Sequence, residues 1–167
     1  MRRFRKRREE QYEKKNVNNV LAIMTCVTFI WSTGADAKAE GIGEDISFSE
    51  LLTESALVGI AELQTRGIYL AEGNSIINKI STSKIGAGGS TTAAVKCKVQ
   101  VVPLVEKLSN GTWNYVTSWT VTTASGYSAM ASKSITVGTG YYYRVRCTHS
   151  AATDVSSSCT SALWMGN

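Results

Sequence analysis

The chain of 167 residues holds one histidine and one proline. With His149 as the single histidine, a Ser–His or Cys–His nucleophile pair has only one position to use, and a zinc site lacks its commonest ligand. His149 ends a strand-like run and reads as a structural residue. The four cysteines form no Cys-x-x-Cys pair, so no metal site is expected. The Gly-rich stretch GAGGS (86–90) lacks the Gly-Lys-Ser/Thr ending of a phosphate-binding loop and reads as a turn. From residue 73 onward only two acids occur, Glu106 and Asp154. Glycoside hydrolysis needs two carboxyl groups facing one substrate, and these two read as solvated turn acids. The expectation is a protein that is not an enzyme, with no catalytic residue, no metal and no cofactor.

No apolar run reaches the roughly 20 residues of a membrane span. The longest, VLAIMTCVTFIW, covers only 20–31. It follows a basic stretch with eight cations in residues 2–15 and precedes small residues ending Ala35-Asp36-Ala37. Basic, apolar and small segments in that order form a secretory signal peptide. Cleavage is expected after Ala37, or after Ala39 through Ala37-Lys38-Ala39. A retained membrane anchor is the rival, weakened by the short apolar run, and a lipid anchor at Cys26 is weaker still. The domains are then residues 1–37, a signal peptide that is removed; 38–66, an acidic lead segment, part helical; and 67–167, a β-sandwich domain. The expected location is secreted, with membrane contact only transiently through the signal peptide.

Export changes the meaning of the charge. The whole chain is +5, but residues 1–37 hold eight cations and four acids, leaving ten and nine. Nothing remains for the many phosphate contacts that nucleic-acid binding needs, so no nucleic acid is expected as a partner. The rest is uneven: residues 40–72 hold seven acids and one Arg, and residues 73–167 hold eight cations and two acids. Packing of the two segments against each other, or simple solvation, is the expected reason; the rival is a weakly anion-binding β-domain with an acidic regulatory lead.

Ser47-x-x-Glu50 is a capping-box pattern. Leu51, Leu52, Ala56, Val58, Ala61 and Leu63 roughly follow a helical stripe, predicting a helix over 49–64 ended by Gly67. Beyond Gly67 the pattern is β. Short strands are expected at 68–70 and 76–80, with a turn at Gly86, Gly88 and Gly89. Residues 95–101 alternate apolar and polar, and Pro103 marks a bulge or an edge position. Asn110-Gly111 suits a type I′ hairpin leading into a strand over 112–122. Gly126 restarts a strand that ends at 135–137. After Gly138 and Gly140 comes Tyr141-Tyr142-Tyr143-Arg144-Val145-Arg146-Cys147, then a polar loop over 150–158 and a last strand near Trp164. The fold class is all-β: a small antiparallel immunoglobulin/fibronectin-like β-sandwich preceded by a short helical lead segment. The Tyr-rich strand resembles the tyrosine corner of such sandwiches.

VEKLSNGTWNYVTSWT (105–120), SKSITVGTGYYYRVRCTHSA (132–151) and SSCTSALWMG (157–166) occur in that order. The set resembles a family of small exported proteins of Gram-positive bacteria, a family characterised only as a domain of unknown function. The resemblance covers residues 67–166. It implies export and a small β-sandwich, and it supplies no catalytic residue.

Two features of the residues remain. Cys97, Cys147 and Cys159 are left after signal removal, enough for one disulfide and a spare thiol. Cys147 paired with either of the others is expected, and the spacing does not choose. Tyr142, Arg144 and Arg146 share one face and form a candidate exposed binding stripe for glycans or anionic wall polymers. The partner is otherwise unknown, and a cell-wall or extracellular polymer fits best. The expected function is a non-catalytic binding or structural module acting outside the cell. The alternative is a secreted effector or bacteriocin-type peptide precursor with a removable acidic lead. Mass spectrometry of the protein in culture medium is expected to find an N-terminus at Lys38 or Glu40; a medium form retaining residues 1–37 overturns the cleaved-signal reading.

Overall fold

The computed structural model describes residues 41, 43–61 and 67–166. The expected signal peptide, its cleavage at Ala37 or Ala39, and Cys26 lie outside the described residues. The elements are β1 (Gly43–Asp45), α1 (Phe48–Leu51), β2 (Leu57–Ile60), β3 (Leu70–Ser81), β4 (Lys84–Ser109), β5 (Thr112–Ser118), β6 (Val121–Thr136), β7 (Tyr141–Ala151), β8 (Asp154–Cys159) and β9 (Leu163–Met165). Among the described residues no helix is long and apolar enough to cross a membrane.

The expected all-β, antiparallel character holds, but two separate sheets of immunoglobulin type are replaced by one sheet. Among the described residues all nine strands join it, in the order β1-β6-β4-β3-β2, with β5 and β7 also on β4 and with β8 and β9 on β7. The reason is β4. Its first half pairs with β3 and β6, and its second half with β7, β6 and β5. Extended chain rises about 3.3 Å per residue, so nine residues should span roughly 30 Å. Yet Thr91 Oγ1 donates to Gln100 O at 3.0 Å. The strand turns a corner between them, where its register with β6 breaks between Thr92 and Cys97, opposite Gly126. The sheet therefore folds over itself, and β7 lies against the first half of β4: Cys147 Sγ donates to Gly88 O at 3.5 Å. Ile77, Ile85, Val99, Val101, Tyr143 and Val145 fill the space between the layers. The Tyr143 hydroxyl donates to Gly138 O at 3.0 Å.

The GAGGS stretch is not a turn. It lies inside β4, paired on both edges and buried, and the turn falls at 82–83 instead. The glycines answer to packing on two faces. A Cβ at Gly88 would lie 2.0 Å from Ala131 O and 2.8 Å from Leu51 Cδ2, and one at Gly89 would lie 2.6 Å from Cys147 Sγ. Absent side chains let α1 rest directly on the sheet.

The lead segment docks, but not as the predicted helix over 49–64. The capping box forms, with Glu50 N donating to Ser47 Oγ and Ser47 N donating to Glu50 Oε2. The Ser47 N–H and the Ser47 hydroxyl, which donates to Glu50 Oε2 at 2.9 Å, hold the Glu50 carboxyl below its ordinary pKa. The helix ends after one turn, and β2 follows, paired with β3 from Leu57↔Ile77 to Ile60↔Asn74; residues 62–66 lie outside the description. Tertiary pairing overrides a loose stripe. In β2 the buried residue is Gly59, while Val58 and Ile60 are exposed. A Cβ at Gly59 would lie 2.0 Å from Cys159 O, so only glycine fits inward. Leu51, fully buried, plugs the glycine patch. Asn78 secures it: its Nδ2 donates to Leu51 O (2.9 Å) and Glu50 O (3.2 Å), and its Oδ1 accepts from Gly86 N (3.1 Å). The charge asymmetry resolves partly as packing, because Lys84 pairs with Glu44 and Lys133 with Asp45, each at 3.2 Å.

Other expectations shift locally. The expected strand at 76–80 lies inside β3, which takes in only Leu70 of the one expected at 68–70. The strand expected over 112–122 is interrupted at 119–120. The loop expected over 150–158 contains β8, paired with β7 from Ala151↔Asp154 to Arg146↔Cys159. Asn110 and Gly111 both have positive φ (53° and 75°), as the type I′ hairpin requires. Pro103 lies in a central strand, but its carbonyl accepts from Trp119 N at 3.3 Å in the gap where β4 changes partner from β6 to β5. The N and C=O of one strand residue point the same way, so the missing N–H falls where no ladder bond is needed.

Asn78→Ala would leave buried carbonyls and the Gly86 N–H without this partner. It is expected to lower stability in urea unfolding by roughly 2–3 kcal/mol, whereas Leu52→Ala, at an exposed position, should change it by less than about 0.5 kcal/mol. Equal effects would show that the docking of α1 does not depend on Asn78.

Candidate functional face

Strand register puts distant residues into rows. The two-residue hairpin sets Leu108 opposite Trp113 and Glu106 opposite Tyr115. On the other edge of β4, Leu108 meets Tyr142, Glu106 meets Arg144, and Leu104 meets Arg146. Beyond β7, Tyr142 meets Trp164 and Arg146 meets Cys159. Directly opposite residues share a face. One outward face thus carries Trp113, Leu108, Tyr142 and Trp164 in a row across four strands, with Tyr115, Glu106 and Arg144 in the next row and Leu104, Arg146 and Cys159 in the one after.

The candidate stripe Tyr142, Arg144 and Arg146 is brought together here and belongs to a wider surface. Tyr142 and Trp164 are 44% and 49% exposed and Tyr115 is 67% exposed. The Tyr142 and Trp164 rings lie 4.8 Å apart, tilted by 47°. The Arg144 guanidinium sits 4.1 Å from the centre of the Trp113 ring, within cation–π range. Glu106 is not a solvated turn acid. It is only 7% exposed, its Oε2 accepts from Arg144 Nε at 2.7 Å, and its Oε1 accepts from Arg146 Nη2 at 3.2 Å. One buried carboxylate therefore fixes both guanidinium groups. Below Arg146 the face continues as a groove of about 680 Å³ that also touches Ile60, Thr148, Val155, Ser157 and Cys159.

Asp154 is not a solvated acid either. Its Oδ2 accepts from Tyr69 N (2.7 Å) and Leu70 N (3.0 Å), tying the β7–β8 turn to the start of β3. The Leu70 and Tyr69 amides lower its pKa. His149 is fully buried, as a structural residue would be. Its Nδ1 lies 2.8 Å from Thr91 Oγ1 and its Nε2 lies 2.8 Å from Ser158 Oγ. The Thr91 hydroxyl proton is given to Gln100 O. Thr91 Oγ1 must therefore accept from Nδ1–H, and in the neutral ring Ser158 donates to Nε2.

The expected disulfide is absent: Cys97, Cys147 and Cys159 are all free thiols. The register gives the reason for the Cys147–Cys159 pair. Cys147 lies opposite Ser158, and Cys159 lies opposite Arg146, so the two cysteines point to opposite faces. Cys147 is buried and Cys159 exposed. Burial, with a smaller contribution from Cys159, pushes the Cys147 thiol pKa far up. Among the described residues no group of three His, Cys, Asp or Glu side chains is placed to hold a metal ion.

The sequence reading missed Trp113, Leu108, Tyr115 and Trp164 as members of this face. The hairpin register signals the first three, because two turn residues fix which side chains meet. Nothing local signals that β7 flanks β4 or that Trp164 joins Tyr142.

The chain belongs to the Family of unknown function (DUF6147), whose model matches residues 48–163. The matched span runs from the docking helix to the start of β9, so it takes in residues 48–66 of the lead segment but not β1. No curated protein and no solved structure matches the chain.

Burial lowers the His149 pKa from 6.5 to about 4. The unfolded chain binds a proton at this ring, between those values, that the folded chain does not. Stability is therefore complete above about pH 6.5 and falls as pH drops towards 4. The loss should reach roughly 3 kcal/mol. Urea unfolding between pH 6.5 and 5 is expected to show this slope in the wild type and a flat profile in His149→Gln. Equal slopes would assign the acid sensitivity to other groups.

Proposed function

We propose that the protein is a non-catalytic binding module that acts outside the cell, exported by residues 1–37 and engaging a cell-wall or extracellular polymer of a Gram-positive bacterium. The observation that carries the reading is the outward face of Trp113, Tyr115, Tyr142 and Trp164 around the Arg144–Glu106–Arg146 cluster. Exposed aromatics and charged groups held in place by a buried partner are the furniture of a recognition surface. The titratable groups that catalysis would call on have structural work instead: His149 joins Thr91 to Ser158, Glu106 holds two arginines, and Asp154 caps the start of β3. The order of basic, apolar and small residues before position 38 supports export.

The alternative, a peptide precursor with a removable acidic lead, fits the docking less well. Removing the lead would strip β1 and β2 from the sheet and expose the glycine patch under Leu51.

Retention on insoluble cell-wall polysaccharide tests the reading. Wild-type protein should be retained, and the Arg144→Ala/Arg146→Ala variant should bind roughly tenfold more weakly. No retention of either protein would sink it.

A further inference from the structure

We infer that this face binds a linear polysaccharide of uronic acids, with sugar rings stacked on the Trp113–Tyr142–Trp164 row and ring carboxylates received by Arg144 and Arg146. The inference rests on the binding-module reading and names its ligand.

The first argument is extent. From Tyr142 to Thr148 the face runs six residues along β7, roughly 20 Å, and the aromatic row crosses four strands, roughly 14 Å. Those dimensions suit several sugar units and exceed a single one. The second is topology. β4 is paired along both edges beneath this face, by β5 and β7, and β7 is covered on its outer edge by β8 and β9. A peptide could add as a strand only at the outer edges of β5, β8 and β9, away from the two inner strands that carry Glu106, Arg144 and Arg146. Over those inner strands the surface offers side chains alone, with half-exposed aromatic rings as a platform.

The third argument is charge. Glu106 neutralises one of the two arginines, so the cluster keeps a net positive charge. Two acids of the lead segment, Glu44 and Asp45, are paired elsewhere with Lys84 and Lys133. Glu106 engages one nitrogen of each guanidinium, and the rest of each fork remains for a planar carboxylate on the ligand. The fourth is spacing. Arg144 stands two residues from Tyr142 along β7, about 7 Å. A ligand that stacks on one row and is read by charge in the next must carry ring and anion together, as a uronic acid does. Arg146 also opens onto the groove with Thr148 and Ser157, whose hydroxyls suit the ring hydroxyls of the continuing chain.

The test is titration of the full-length protein with an oligogalacturonate, followed by tryptophan fluorescence at moderate salt. Parallel arms use a neutral oligosaccharide of equal length and a glycerol-phosphate polymer. The oligogalacturonate should bind at least tenfold more tightly than either. Arg146→Gln, Tyr142→Ala and Trp164→Ala should each weaken it at least tenfold, and Lys79→Gln, at an exposed position on β3, should not. Equal binding of the phosphate polymer, or binding unchanged in all three face variants, overturns the inference. Equal binding of the neutral sugar that still depends on Tyr142 and Trp164 overturns the uronate assignment and leaves the module reading standing. The same holds if no oligosaccharide binds while wall material still retains the protein. Loss of wall retention as well removes both.

Discussion

Thr91 and Gln100 are joined by a hydrogen bond that straight strand geometry forbids. β4 turns its corner between them, and the two-layer arrangement follows. Before the corner β4 supports β3 and the lead segment; after it, the same strand supports β5 and β7. His149 ties the second layer back to Thr91, so the bend is held by a buried polar chain as well as by apolar packing. Such a chain is strong when every member is satisfied. Here the tautomer of one ring follows from where a single threonine proton goes.

The two layers divide the work. The first carries glycines, Gly86 and Gly88, on its outer face, where Leu51 and Asn78 close it. The second keeps its outer face open, and there the apolar interior is separated from solvent by aromatic rings and by Glu106 with its two arginines. Large side chains are inward where the layers stand apart and outward where they come close. Gly59 between exposed Val58 and Ile60 is the clearest case, since the carbonyl of Cys159 leaves no room for anything else.

Local chemistry was legible in the sequence. Ser47 and Glu50 formed their box, Asn110-Gly111 formed its hairpin, and from Tyr142 to Cys147 the alternation separates Tyr142, Arg144 and Arg146 from buried Tyr143, Val145 and Cys147, although Tyr141 is exposed. Long-range placement was not. GAGGS reads as a turn because glycines usually mark one; its role depends on Leu51 and Cys147 approaching from opposite sides, which no local pattern reveals. The helical stripe after Leu52 was a poor one, and pairing with β3 outweighed it. The disulfide expectation rested on three cysteines left in an exported chain, and a register in which Cys147 meets Ser158 defeats the Cys147–Cys159 pairing. Glu106 looked like a turn acid because its two partners lie 38 and 40 residues away.

The register of β1 sets a condition on how the chain comes to be folded. Gly43 to Asp45, near the start of the described chain, pair with Lys133 to Ile135, close to its end. β4 in turn waits for β6 and β7, both made after it. Loops that long must close before their contacts stabilise anything, which makes folding slow and its nucleus non-local. A ribosome-bound fragment ending before residue 133 lacks a partner for β1 and one flank for much of β4. The domain is therefore completed only after most of it has been synthesised.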